Sequence, residues 1–415
     1  SVEKKEFKQS PPVPFDLTTM QIEAYRALNI SPKDSLEIAQ ELYTSGFISY
    51  PRTSSQKLPK EIGYKKIIQD LSNQSDYSKL CKELMKKNLI PNEGNSTDPA
   101  HPAIYPTGIP AYGIKDKELK LYDLIVKRFM AVFAEPALKQ TMTIKIDCNT
   151  EIFIAKGTTT IEKGWHKFYE PYVAGKEEEL PAVKENDKVD VKKIEMLDKE
   201  TQPPKHYTPS SIIKELAKKN LGTKATRAHI VDTLFQRGYV TGKSIEATDL
   251  GISTVKTLEK YCPKILDEEL TRQFELEMEE IENGEKKPEQ ILKKAKENLK
   301  EILDDFKKKE KDIGEGLKEA TIETRNKESF IGKCPVCKKG DLRVIFSRKT
   351  KKRFIACDAY PKCKTTFSLP QKGLVKSAEK QCPECGYPMV MVISKGRRPW
   401  VFCINPNCKG KQQEK

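Results

Sequence analysis

The sequence predicts a multidomain chain of mixed α and β structure that ends in two small four-cysteine modules. Three observations predict it. Apolar residues recur at helical spacing around residues 31–46 and 209–235. Strand-like pieces alternate with charged turns between residues 140 and 204. Eight of the 11 cysteines fall after residue 330. At 415 residues there is room for several domains. A hydrophobic content of 37% beside 33% charged residues fits globular parts joined by solvated helices. No apolar run approaches a membrane span and the chain does not open on a secretory leader, so no membrane partner and a cytoplasmic location are expected.

Taken in order, Ser31-Pro32-Lys33-Asp34 reads as a helix start, with a serine cap, proline in the first turn and an early acid. Leu36, Ala39, Leu42 and Tyr43 follow at helical spacing, and Gly46 is a stop. Phe47 and Ile48 suit a short extended segment. Tyr50 precedes Pro51, which pushes its backbone to extended geometry. Arg52, Thr53, Ser54 and Ser55 then supply a guanidinium and hydroxyls suited to an anion. A phenol of ordinary pKa about 10 beside a cation suits nucleophilic attack on a phosphodiester. The guanidinium would stabilise the charge of a five-coordinate phosphorus. The same residues also suit a Tyr-Pro turn packed in a core with a surface arginine.

Asp98 to Gly108 (DPAHPAIYPTG) is an irregular proline-rich loop holding one of only four histidines, His101. It would donate to a phosphate or be incidental. From Gln140 to Pro204 the pieces TMTIKIDC, EIFIAKGTTT and KVDVKKIEML read as an antiparallel β scaffold without chemistry of its own. Residues 206–251 read as helix, turn, helix, hairpin, with Ser210 or Ser211 as first cap, a break at Gly222 and a second helix from Thr223 to Phe235. This winged-helix-like outline presents Lys224, Thr226, Arg227 and Arg237 from one region. The TGKS within it is not a nucleotide-binding loop, because Arg237 stands where that motif needs glycine. Amphipathic helices run on to about Lys327 as a solvated connector.

The tail holds Cys334, Cys337, Cys357 and Cys363, then Cys382, Cys385, Cys403 and Cys408. A CxxC, a basic strand-rich stretch and a second cysteine pair occur twice, which is the arrangement of two structural Zn²⁺ sites. Disulfides are the alternative. Modules this small would depend on metal for their fold. Cys81, Cys148 and Cys262 are expected to be inert core thiols. The formal net charge of +15 lies wholly in this tail, where residues 331–415 carry 20 Lys+Arg against 5 Asp+Glu. Two thiolate-bound zinc ions would lower it to about +11, still a footprint for nucleic acid. Phe354, Tyr360, Phe367, Trp400 and Phe402 lie among these cations and are expected both to fill the small core and to stack on unpaired bases.

The segments LYTSGFISYPRTSSQKLP, HPAIYPTG, TKATRAHIVDTLFQRGYV and LTRQFELEMEEIENG, in this order and followed by two four-cysteine modules, closely resemble the type IA DNA topoisomerases, especially the archaeal topoisomerase I group. The resemblance runs from about Pro11 to Cys408. It implies a partial topoisomerase torus of helical and winged-helix-like domains plus an antiparallel β arch. Residues 1–16 would start the arch, 17–138 form the tyrosine domain, 139–204 the arch and hinge, and 205–328 the strand-binding domain. Zinc-ribbon-like modules would follow at 329–372 and 378–415.

The resemblance further implies that Tyr50 attacks one DNA strand to form a 5′-phosphotyrosine and a free 3′ hydroxyl, and that strand passage and religation relax negative supercoils without ATP. Arg52 would orient the scissile phosphate, with His101, Thr53 and Ser54 assisting. Thr226 and Arg237 would bind the strand, with Lys224 and Arg227 beside them. The partner is DNA, especially single-stranded or negatively supercoiled, in a nucleoid-associated protein. The family's Toprim domain, with its acid–base glutamate and Mg²⁺-binding Asp-x-Asp, has no counterpart in the sequence. The chain is therefore expected to be inactive alone and to need a Toprim-bearing polypeptide, whether split off or missing. Two other classes fit the same residues: a non-catalytic zinc-dependent clamp on single-stranded DNA, and the C-terminal part of a reverse gyrase.

Overall fold

Helix caps define the start of the first helices. The computed structural model describes residues 1–394 and 398–411. They form two compact units, residues 1–246 with 268–293, and residues 247–267 with 294–415. In the first unit, Asp16 caps α1 (Leu17–Leu28): its Oδ1 accepts the Thr19 N–H at 2.7 Å while Thr19 Oγ1 accepts the Asp16 N–H at 3.1 Å. Ser31 caps α2 (Pro32–Thr44) by accepting the Asp34 N–H at 3.1 Å, with Pro32 first in the helix, as the sequence predicts. The helix ends at Gly46, φ +77°, where the Phe47 N–H reaches the Leu42 carbonyl and the Gly46 N–H that of Tyr43, both at 2.9 Å. This left-handed turn needs glycine's freedom, and it reverses the chain just before Tyr50.

α3 (Tyr64–Leu71), α4 (Ser75–Leu84) and α5 (Asp116–Ala131) follow. α5 is apolar around most of its circumference, with Leu121, Leu124, Ile125, Val126 and Met130 wholly buried. Such a helix belongs at the centre of a core. Leu17, Met20, Ala39, Leu42, Ile68 and Leu84 from the other helices pack into the same core.

Strands β1 (Val2–Gln9), β2 (Ala137–Cys148) and β3 (Glu151–Glu162) form an antiparallel sheet in the order β1-β2-β3. Val2 stands opposite Ile144 and Gln9 opposite Ala137. The β2–β3 tip, Asn149-Thr150, takes positive φ at both residues, the handedness that a two-residue hairpin needs. The third expected strand, at 188–197, does not form. Its Val189, Val191, Ile194 and Met196 lie exposed in irregular chain. Alternating apolar residues make a strand only beside a backbone that can pair with them, and none of the described strands does. Cys148, expected in a core, is only half-buried at the end of β2. α6 (His166–Tyr169) returns the chain to the helical core, burying Phe168 and Tyr169.

α7 (Pro209–Lys218), α8 (Arg227–Gln236) and the two-residue strands β4 (Val240–Thr241) and β5 (Glu246–Ala247) complete the helix–helix–hairpin outline. Two boundaries differ from the sequence reading. Thr208, not Ser210 or Ser211, caps α7, because Pro209 takes the first helical position. α8 starts at Arg227, because residues 223–226 close a turn in which Thr223 N–H donates to Thr226 Oγ1 at 2.9 Å. Ile213, Ala228 and Val231 form the small core between these helices. α7 packs on α1 and α8 on α2, with Lys33 bonded to Asp232 at 2.9 Å.

α9 (Asp249–Tyr261) lies in the second unit and α10 (Glu268–Glu282) in the first, and the unit boundary falls within α11 (Pro288–Lys308). In the second unit α9 packs on α12 (Glu310–Ser329). Strands β6 (Phe330–Lys333), β7 (Asp341–Phe346), β8 (Arg353–Cys357) and β9 (Thr366–Ser368) make one antiparallel sheet. β10 (Leu374–Gln381), β11 (Pro388–Ile393) and β12 (Trp400–Cys403) make another. Part of the basic turn before β12, residues 395–397, lies outside the described residues. Ile331, Leu342 and Ile355 of the first module share a core with Val375, Val390 and Ile404 of the second.

Buried Asp16 also accepts from Gln56 Nε2 at 2.7 Å, so one carboxylate caps α1 and anchors the chain beyond Tyr50. Asp16→Ala should destabilise the first unit by about 1–2 kcal/mol, the usual range for a lost cap. A lowered urea midpoint would register this, and an unchanged one would refute the role.

Candidate active site and metal centres

Residues 47–57 carry no regular secondary structure, so their backbone groups must be satisfied elsewhere. The loop carrying His101 does this. Ser49 N–H donates to the Tyr105 carbonyl at 2.9 Å, Tyr105 N–H to Ser49 Oγ at 3.0 Å, and Thr107 N–H to the Phe47 carbonyl at 3.0 Å. Ala103 N–H reaches the Lys57 carbonyl at 2.8 Å. Two segments far apart in sequence thus run side by side. They bring the Tyr50 and His101 rings to 4.5 Å between centroids. Tyr50 also meets Tyr43 edge-on at 5.3 Å. The sequence reading placed Tyr43 on the apolar face of α2, yet it is largely exposed and forms one wall of the tyrosine's seat.

Arg52 is half-buried, and its Nε is shielded from water without a hydrogen-bond partner. Ser54 Oγ donates to the Thr97 carbonyl at 3.2 Å and to Asp98 Oδ2 at 3.1 Å. Thr53 does not fit the expected phosphate contact. It is 0% exposed, and its hydroxyl donates to the His101 carbonyl at 3.3 Å and accepts from Ser55 N–H at 3.0 Å. It fixes the loop from within.

Asp98 is the residue that sequence reasoning missed. Its Oδ1 accepts the N–H groups of Ala100 at 3.1 Å and His101 at 3.2 Å, and its Oδ2 accepts the Ser54 N–H at 3.2 Å. Lys224 Nζ donates to the same Oδ2. Burial alone would raise this carboxyl's pKa, but the bonds from Lys224, Ser54 and Ala100 outweigh it and hold the group well below the usual carboxylate range. The only sequence signal was an acid three residues before a loop histidine.

Of the strand-binding candidates, the structure brings Lys224 to the tyrosine loops through Asp98 and Ser54. Thr226 is exposed just before α8, within the turn it makes with Thr223. Arg227 turns inward: its Nε donates to the Leu221 carbonyl at 3.0 Å, and burial lowers its pKa against the pull of Glu275 and Glu279. Arg237 is exposed at the far end of α8.

Both cysteine tetrads converge. Their sulfur atoms lie within 4.8 Å of one another in each set. Cys334 and Cys363 are 3.9 Å apart, Cys337 and Cys357 3.6 Å, Cys382 and Cys408 3.6 Å, and Cys385 and Cys403 3.4 Å. Tetrahedral Zn–S bonds of about 2.3 Å put sulfurs roughly 3.8 Å apart, so both sets fit zinc. The amides of Gly340 and Lys339 pull the Cys337 thiol down to about 6, readying it as a thiolate. Gly340 is obligatory there, since a Cβ would stand 2.6 Å from Cys357 Sγ. Among the described residues these are the sets that gather three or more metal-binding side chains. Neither suits Mg²⁺, which takes oxygen ligands. The tail aromatics divide between packed and exposed positions. Phe367 packs edge-on against Tyr387 at 6.0 Å. Tyr360 is 72% exposed and Trp400 48% exposed, and Trp400 stacks on Phe402 at 4.7 Å.

Metal analysis should find two zinc ions per chain. Chelation should unfold residues 331–411, so that limited proteolysis removes the tail while the helical core of residues 17–172 stays resistant. A tail that stays protease-resistant without metal would contradict this.

A family profile described as DNA topoisomerase matches residues 1–293. A second, described as topoisomerase DNA binding C4 zinc finger, matches residues 331–372 and 379–415. The chain is 46% identical over 415 residues to DNA topoisomerase 1 of Methanocaldococcus jannaschii, covering 100% of this chain and 53% of that protein. It is 45% identical to DNA topoisomerase 1 of Pyrococcus horikoshii, covering 99% of this chain and 60% of that protein. The chain therefore spans about half to three-fifths of the length of these curated relatives. The structure of full-length topoisomerase I from Thermotoga maritima shares the fold, with a TM-score of 0.55 at 21% identity, over 91% of this chain and 60% of that one. The tyrosine loops, the helix–helix–hairpin outline and the paired zinc ribbons thus meet in one lineage: the chain belongs to the type IA DNA topoisomerases, in their archaeal topoisomerase I group.

Proposed function

We propose that this chain supplies the catalytic tyrosine of a type IA topoisomerase, which cuts one DNA strand, lets the other pass and reseals the cut without ATP. The observation that carries the reading is the packing of Tyr50 against both His101 and Tyr43, in a segment that also holds Arg52. A ring packed against two neighbours keeps few orientations, which favours in-line attack by its oxygen. Tyr50 Oη forms a bond to phosphorus as the bond to the 3′ oxygen breaks. The phenol loses its proton and the leaving 3′ oxygen gains one. Religation runs the same exchange backwards, one phosphodiester for another, so no external energy is needed.

The unpartnered Nε of Arg52 supports a role toward the scissile phosphate, because a shielded donor without an acceptor suits an anionic ligand. His101 would donate to a non-bridging oxygen, and Ser54 lies beside it. Lys224, Thr226 and Arg237 belong to the strand-binding side, while Arg227 serves by holding the start of α8. The zinc modules would take single-stranded or negatively supercoiled DNA through their charge and through Tyr360 and Trp400. We assign Mg²⁺ and the acid–base glutamate to a Toprim domain. A cytoplasmic, nucleoid-associated protein follows from this reading.

The test is an oligonucleotide substrate that traps the cleaved strand, incubated with the complete assembly. A covalent adduct should map to Tyr50 and fall below detection in Tyr50→Phe. Arg52→Lys, which keeps charge but not the two-pronged grip, should slow adduct formation by about 10²–10³-fold. Relaxation should require a Toprim domain, supplied in the same or a separate polypeptide. An adduct on another residue would refute the assignment.

A further inference from the structure

We propose that Asp98 is the positioning residue of this site: through Lys224 it clasps the lead-in to α8 against the tyrosine loops, and it keeps that lysine's charge away from DNA phosphate. The inference rests on the topoisomerase reading above, and the salt dependence that decides it does not require strand cleavage. Asp98 is unusual for a loop acid. Its side chain is only 4% exposed. It draws bonds from three separate stretches: Ser54 beside Tyr50, Ala100 and His101 in the histidine loop, and Lys224 before α8.

Each bond places something the reaction would use. The His101 N–H is held by Asp98 at 3.2 Å and its carbonyl by Thr53 at 3.3 Å, so the histidine backbone is pinned on both sides. Ser54 is held at both its N–H and its hydroxyl, which fixes the chain two residues beyond Arg52. Lys224 is 39% exposed, so its stem reaches inward from the α8 side while Asp98 stays covered. A lysine so engaged is neutralised in place. A carboxylate this well supplied with donors is a poor group to abandon, since its backbone bonds keep it ionised and correctly aimed. Lys224 therefore serves the strand-binding side by holding it in register, not by gripping phosphate.

Salt dependence separates the two roles. For single-stranded DNA each phosphate contact contributes about 0.7 to the slope of log affinity against log salt. Binding of a phosphodiester oligonucleotide to the full chain is measured from low to moderate salt. Asp98→Asn keeps the shape but presents an amide to Ser54 and Lys224, freeing the lysine. The slope should steepen by about 0.7, with tighter binding at low salt. Asp98→Asn combined with Lys224→Met should return it to the wild-type value. In the complete assembly, adduct formation at Tyr50 should fall on the order of 100-fold in Asp98→Asn, the scale of a reacting group misplaced by about 1 Å. Lys224→Arg, which can still reach Oδ2, should retain more of that rate than Lys224→Met. An unsteepened slope in Asp98→Asn would overturn the proposal, and so would a slope flattened by about 0.7 in Lys224→Met alone. Either result would leave the Tyr50 adduct test standing. Absence of the Tyr50 adduct in the wild-type assembly, with the slopes as expected, would refute the enzymatic reading instead.

Discussion

Two irregular segments inside a folded unit must answer for every backbone group they bury, and the site exists because residues 47–57 and 101–107 answer for each other. Unpaired amides here would cost as much as several side-chain contacts return. The prolines ease the problem. Pro51 and Pro106 are buried and have no N–H to satisfy, and their fixed φ stiffens the chain. Ile48 and Pro106 still form a one-residue bridge, and Ile104 N–H reaches the Phe15 carbonyl at 2.7 Å. A loop built this way is as rigid as a strand without being one. It can therefore present a tyrosine at an angle that neither helix nor sheet periodicity would allow.

The scaffold uses its other tyrosines in the opposite sense. Tyr77 and Tyr172 donate to the two oxygens of Asp123 at 3.0 Å and 2.6 Å. Burial and that carboxylate push both phenols far up, so they remain neutral donors that brace α5. Arg128 lies over the rings of Phe15 and Tyr169 and donates to the Val13 carbonyl at 2.7 Å. A phenol beside a carboxylate is a strut. A phenol packed against two rings, two residues before an arginine, is a candidate nucleophile. The environment separates the two classes where residue type cannot.

What could be read from the sequence follows the same line. The caps of α2, the glycine stop and the cysteine sets were legible because each rests on local chemistry at fixed spacing. Tyr50 and Arg52 were legible as neighbours. That His101 would meet Tyr50 is a long-range fact, and only the family resemblance anticipated it. Asp98 was invisible because its meaning lies in donors from three places. Thr53 was misread because its neighbours in sequence suggested a solvent-facing hydroxyl, whereas the loop pairing turns it inward. The strand expected at 188–197 has the right alternation, but a strand is a property of two segments and the alternation belongs to one.

The tail shows how little core is needed when constraints are shared. Each zinc module alone is too small to bury a sufficient interior. Metal would fix one end of each, and the common core joins them. Arg353 closes the link: its guanidinium donates to the carbonyls of Pro370 at 2.6 Å, Gly373 at 2.6 Å and Lys372 at 2.8 Å, gathering the connector between the modules. An arginine in a cationic tail would ordinarily be counted toward DNA. This one is occupied by three carbonyls, and so it contributes rigidity instead. It sets the two modules as one body, with β12 at an edge and the Trp400–Phe402 stack on that strand. If the tail takes single strands as proposed, a pair of rings already stacked on each other would receive a base at a lower entropic cost. The same reasoning applies to Lys224 in the first unit: a count of cations overstates the charge available to DNA, because the best-placed cations are those the fold has already claimed.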